Sequence, residues 1–211
     1  RMLMSREHVD HPVLRRVREL ADEVTLQDTE LLFESCRSST TTLLANSYLL
    51  CLCSPVLHKM ICGSFIESNQ KTLTLKDVDG TAFGNALDMW CGKLNDAELV
   101  LDEVRELASV ADRFQMAEVA SALDETVARY LRVATCSDVL SWSGELGLRR
   151  SEQAARKLAT EQFEELAKAE TFTRMGEEAL GRLLGDDDLA ARSEEAVWEA
   201  LTVWREAQQE R

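Results

Sequence analysis

Chemistry in a protein chain needs nucleophiles, bases or metal ligands at spacings that let them converge. Here the candidates are few. The chain holds 3 histidines in 211 residues. His8 and His11 stand on one possible helical face, but two imidazoles alone make a poor metal site. His58 sits beside Lys59 and reads as a surface histidine, not a general base. The 6 cysteines, at positions 36, 51, 53, 62, 91 and 136, lie among apolar neighbours without zinc-finger spacing. They read as reduced, buried thiols of an intracellular protein. Asp186-Asp187-Asp188 lacks the alternation and glycine of a calcium loop and reads as a solvated turn between helices. No phosphate-binding glycine loop, dinucleotide fingerprint or nucleophile elbow occurs. The expectation is a protein with no catalytic residues, no cofactor and no structural metal.

Charge narrows the partners. Lys and Arg number 24 against 38 Asp and Glu, a net charge of -14. A duplex nucleic acid would be repelled by that balance, and the aromatics do not interleave with a basic patch. No apolar run approaches the roughly 20 residues that span a bilayer. Neither duplex nucleic acid nor membrane is an expected partner, and the expected location is the cytoplasm or nucleus. A chain that opens at Arg1 reads as a piece of a longer one.

The elements that would position any site are mostly helical. Prolines occur at 12 and 55 alone, and the chain has 9 glycines. His8 to Leu20 carries Val9, Val13, Leu14, Val17 and Leu20 on one stripe, which must pack on something to be stable. Val24-Thr25-Leu26 reads as a short extended run. Leu31-Leu32-Phe33 and Leu43-Leu44-Ala45 flank a polar tip and read as a hairpin. Ser54-Pro55 has the form of an N-cap followed by proline at the first helical position. Thr72 to Leu75 alternates like a strand, and Thr81 to Cys91 is helical with Gly92 as its stop. Leu99-Val100-Leu101 reads as a strand leading to Asp102 as N-cap of a helix through Phe114. Beyond Val133 strand signals vanish. Helices are expected near 137–147, 151–159, 161–167, 176–184 and 193–208, the first capped around Thr135 and the last by Ser193, with Val197, Trp198, Leu201 and Trp204 on one face.

Several local strings, in order, resemble a BTB/POZ domain followed by a BACK domain, as in Kelch-type adaptors of cullin-3 ubiquitin ligases. Glu23-Val24-Thr25-Leu26 is similar to the family's D-V-T-L opening. Ala45 to Leu50 stands at its A-H-R-x-V-L, and Ser54 to Ile61 at its S-x-Y-F-x-x-M-F helix. Trp90-Cys91-Gly92 replaces Y-T-G, and Ala111 to Met116 fits A-A-x-x-L-Q-M. Asp187-Asp188-Leu189, Ser193 to Trp198 and Trp204 resemble the BACK string and its closing tryptophan. The resemblance implies an α+β BTB domain at 8–132 and an all-α BACK domain at 133–211, with truncation of the latter at its C-terminus left open.

It also implies partners. Phe65-Ile66-Glu67-Ser68 lies where cullin-3 adaptors carry hydrophobic-x-Glu. Phe65 would enter an apolar pocket on the cullin, with Glu67 fixing the loop or making polar contacts; the alternative is that Phe65 folds back onto the core. The helix at 8–20 would pack across a two-fold axis in a homodimer. A protein substrate would be held by a region outside this chain and brought to ubiquitination. Asn46-Ser47 in place of His-Arg, and Glu23 in place of Asp, depart from the charged groove of BTB transcription repressors. A dimeric scaffold or transcription regulator without cullin binding is the second reading.

Overall fold

The computed structural model describes residues 2–3, 12–21, 23–34, 41–63, 72–94 and 98–209. Among them the chain forms two compact units, 1–123 and 124–211.

The first unit is built on a small sheet. Strands β2 (Thr29–Glu34), β3 (Thr41–Ala45) and β4 (Thr72–Lys76) lie in the order β3-β2-β4. β3 runs antiparallel to β2, which makes the expected hairpin, while β4 pairs parallel to β2 with Leu31 opposite Leu73. Alternation buries Leu31, Phe33, Leu73 and Leu75 on one face. A separate two-stranded ladder joins β1 (Met2–Leu3) to β5 (Glu98–Leu99).

Helices cover the buried face. Between β3 and β4 lie α2 (Ser47–Cys53) and α3 (Pro55–Cys62); α4 (Gly80–Trp90), α5 (Leu101–Arg113) and α6 (Ala117–Tyr130) follow, and α1 (Pro12–Ala21) precedes the sheet. Phe83 on α4 is fully buried, 5.3 Å from the Phe33 ring and 5.1 Å, edge-on, from the Phe114 ring. Val104, Leu107, Ala108 and Ala111 on α5 complete this core, as their spacing predicts. Gly80 is required by contact: a Cβ there would overlap the Thr41 hydroxyl and crowd Phe33. Gly92 has φ 72° and Lys93 N–H donates to the Asp88 carbonyl at 2.7 Å, the left-handed stop expected after α4.

Ser54 is the joint between α2 and α3. Its Oγ accepts the Leu57 N–H at 3.0 Å and donates to the Phe114 carbonyl, and the residue is wholly buried. Replacing it by alanine removes a cap and orphans a buried carbonyl. Ser54→Ala is therefore expected to cost about 2 kcal/mol of stability, read as a lower urea midpoint with unchanged slope.

The second unit is helical throughout: α7 (Val133–Trp142), α8 (Arg149–Glu161), α9 (Phe163–Lys168), a 3-10 turn at Glu170–Arg174, α10 (Glu177–Leu184) and α11 (Glu194–Gln209). Asp124 serves as a remote cap for α8. Its carboxylate accepts the N–H groups of Arg150 at 3.0 Å and Ser151 at 2.7 Å. Phe163 and Phe172 pack edge to face at 6.3 Å in the core, and Trp204 Nε1 donates to the Met175 carbonyl at 2.8 Å.

Four local expectations need correction. Val24–Leu26 is an exposed 3-10 turn, closed by Leu26 N–H on the Glu23 carbonyl, because a three-residue run has no strand partner to hold it extended. Helix α5 starts at Leu101, one residue before Asp102: Glu103 reaches back to the Val100 N–H at 2.8 Å and does the capping. Helix α7 starts at Val133, where Thr135 Oγ1 bonds back to Arg132, so the cap lies earlier than 135–138. On α11, Ser193 does cap, accepting from Ala196 N–H at 3.3 Å, but Trp198 is exposed and the buried line runs through Ala200.

Candidate functional site

The residues expected to matter fall in two places. Phe65, Ile66, Glu67 and Ser68 lie outside the described residues. Their flanks are described: α3 closes at Gly63, whose N–H bonds the Lys59 carbonyl at 2.9 Å, and β4 opens at Thr72 beside Glu30 of β2. The connection thus leaves a helix and returns to a sheet that the core holds rigid.

The second place is α1. Val9 lies outside the described residues, as do the side chains of Val13 and Leu14. Val17 and Leu20 are half-buried, and Arg16 pairs with Glu19 at 2.7 Å across the exposed side. An apolar surface that the sequence reading missed belongs to α2 and the turn before β2. Tyr48 is 77% exposed, Leu52 68% and Val24 74%. Tyr48 and Leu52 are four apart, so they project from one face of α2. The signal was obscured because Leu49, Leu50, Cys51 and Cys53 make α2 apolar on nearly every side.

Asn46 and Ser47 hold that surface together. The Asn46 side chain accepts the N–H groups of Tyr48 at 3.0 Å and Leu49 at 3.1 Å and donates to the Leu26 carbonyl at 2.7 Å. Ser47 donates to Asp28 twice, from its N–H at 2.8 Å and its hydroxyl at 2.7 Å. Burial pushes the Asp28 carboxyl up, but the Ser47 hydroxyl and N–H and the Thr29 hydroxyl together outweigh it, leaving the carboxyl below its ordinary value. Both polar residues tether the 24–28 turn to the start of α2.

A cleft of about 420 Å³ opens beside this tether, lined by Leu43, Leu49, Leu87 and Trp90 with Asp88 and Lys93 paired at its edge at 3.5 Å. His58 is exposed, as expected. Cys53, Cys91 and Cys136 are buried, whereas Cys62 is exposed and Cys51 half-buried; Cys36 lies outside the described residues. Among the described residues no group of three or more His, Cys, Asp or Glu side chains converges as a metal would need, and no helix is long and apolar enough to cross a membrane.

Comparison with known families agrees with the fold. Residues 18–130 match the BTB/POZ domain and residues 136–211 match the family described as BTB And C-terminal Kelch, or BACK. The chain belongs to the BTB/POZ family and carries a BACK region after its BTB domain. Human Kelch-like protein 41 is 26% identical over 203 residues, covering 89% of this chain and 33% of that protein. Human Kelch-like protein 2 is 27% identical over 188 residues, covering 88% and 30%. Kelch-like protein 41b of Danio rerio is 31% identical over 163 residues, covering 74% and 26%. The chain therefore spans about a third or less of the length of these relatives. The α+β BTB domain followed by a helical BACK region is the fold that the resemblance led us to expect.

Proposed function

We propose that this chain is a non-catalytic adaptor that homodimerises, binds the N-terminal region of cullin-3, and serves to bring a protein substrate to ubiquitination. The observation that carries the reading is the order BTB then BACK across nearly the whole chain, shared with Kelch-like proteins. Substrate is held by a region outside these residues. The cullin contact is assigned to Phe65, Ile66, Glu67 and Ser68 and to the helices that follow Leu131. Co-elution of the chain with a cullin-3 N-terminal domain in size-exclusion chromatography tests the assembly; separate elution at tens of micromolar would leave only the scaffold reading.

Dimerisation is assigned to α1, through Val9, Val13, Leu14, Val17 and Leu20, together with the exposed face of α2. Large apolar side chains clustered on a surface mark an interface, and a two-fold contact uses the same patch on both copies. Tyr48 and Leu52, both exposed on one face of α2, are such side chains. Light scattering is expected to give two chain masses at low micromolar concentration for the parent. Leu52→Glu places a charge in that contact, and its particle is expected to fall to the single-chain 23.7 kDa while keeping the parent's circular dichroism. A dimer unaffected by Leu52→Glu would move the interface elsewhere.

The repressor alternative is disfavoured by the tether. A charged groove for an acidic or basic co-repressor segment needs free polar groups, whereas Asn46 is already bonded to the Leu26 carbonyl and to the Tyr48 and Leu49 N–H groups, and Ser47 to Asp28.

A further inference from the structure

Two sulfurs of the first unit stand apart from the buried thiols. Cys51 near the end of α2 and Cys62 at the end of α3 place Sγ and Sγ 3.8 Å apart, across eleven positions of sequence. That separation is close to van der Waals contact, and a disulfide needs about 2.0 Å with both Cβ atoms within reach. The two helices meet at a fixed joint: Ser54, fully buried, caps α3 and donates its hydroxyl to the Phe114 carbonyl. Cys62 is exposed and reachable from solvent; Cys51 lies behind it, half-buried.

We propose that Cys51 and Cys62 form a disulfide when the protein meets a peroxide, with Cys62 as the attacking thiol and Cys51 as the resolving one. The Cys62 thiolate attacks one peroxide oxygen, the O–O bond breaks, and hydroxide leaves a sulfenic acid on Cys62. The Cys51 sulfur then displaces hydroxide from Cys62, and its own proton goes to that hydroxide as water. Two thiols and one hydrogen peroxide become one disulfide and two waters, the two electrons passing from sulfur to oxygen.

The division of roles follows from access, Cys62 being exposed and Cys51 half-buried. Burial, then the neighbouring Cys62 and Asp28, pushes the Cys51 thiol up to about 11, so it stays protonated near neutral pH and waits to resolve. The other described thiols are poor competitors. Cys53 donates to the Leu50 carbonyl and Cys136 to the Ala155 carbonyl, and burial pushes each up to about 12. No third ligand joins the pair among the described residues, which argues for redox chemistry over a metal site.

The test is oxidation of the purified chain with a small excess of hydrogen peroxide, followed by blocking of free thiols and peptide mapping without reductant. The expected product has lost two hydrogens, links the peptides bearing 51 and 62, and reverts with dithiothreitol. Dimedone added during oxidation is expected to label Cys62 in Cys51→Ser and to leave Cys51 unlabelled in Cys62→Ser; Cys51→Ala serves where serine disturbs the fold. Both thiols recovered free while others oxidise, a bridge to Cys36, or a disulfide between two copies would each overturn the proposal. None of these readouts depends on cullin binding.

Discussion

Phe83→Ala is expected to be the most damaging single substitution in the first unit, lowering its stability by about 3–5 kcal/mol. The side chain is fully buried between the sheet and α5, touching the rings of Phe33 and Phe114 at centroid distances of 5.3 and 5.1 Å. Three effects add. The gain from removing the ring from water is lost, a cavity opens that strands and helix cannot close, and two aromatic pairs worth roughly 0.5–1.5 kcal/mol each disappear. Domain stabilities lie at about 5–15 kcal/mol, so a substitution of this size removes a large share. Urea unfolding should show the midpoint falling steeply for Phe83→Ala and hardly at all for Tyr48→Ala, whose ring is 77% exposed. Equal losses for the two would mean that the three rings do not organise the core.

Some of this core can be read directly from the residues. Ser54-Pro55 announces its helix because capping is local: the serine oxygen and the proline φ act within one turn. The α5 face at Val104, Leu107, Ala108 and Ala111 is legible because a half-buried helix must repeat its apolar positions. Other features depend on distant partners. The parallel pairing of β4 with β2 is decided by a connection across forty-odd residues, and nothing within Thr72 to Lys76 names its neighbour. Helix α2 escaped notice because Leu49, Leu50, Leu52 and Cys53 leave no polar face to set a period. Val24-Thr25-Leu26 misled in the opposite direction, since β-branched Val24 and Thr25 suit a strand but a three-residue run cannot make one without a partner.

The same contrast holds for the proposed interfaces. Phe65-Ile66-Glu67-Ser68 is visible as a string and by its place between α3 and β4. The exposed pair Tyr48 and Leu52 is visible only once α2 is folded and its inner face is occupied. The tether of Asn46 and Ser47 to the 24–28 turn joins residues about twenty apart, a relation that no spacing rule encodes.

Phe65→Ala carries the largest expected effect on binding. An aromatic anchor at the centre of a protein interface typically contributes about 2–4 kcal/mol, which corresponds to roughly a 30-fold to 1,000-fold loss of affinity. Glu67→Ala should cost less, because a charge at the rim is partly screened by water. The comparison is informative only if both variants retain the parent's dimer and thermal transition, which separates loss of contact from loss of fold. A Phe65→Ala protein that unfolds early would identify the ring as part of the BTB core.

Calorimetric titration of the chain with the cullin-3 N-terminal domain tests the adaptor reading most directly. The account predicts saturable binding by the parent at one cullin per chain, weakened at least 30-fold by Phe65→Ala and by a smaller factor in Glu67→Ala. No heat of binding from the folded, dimeric parent at tens of micromolar would contradict it.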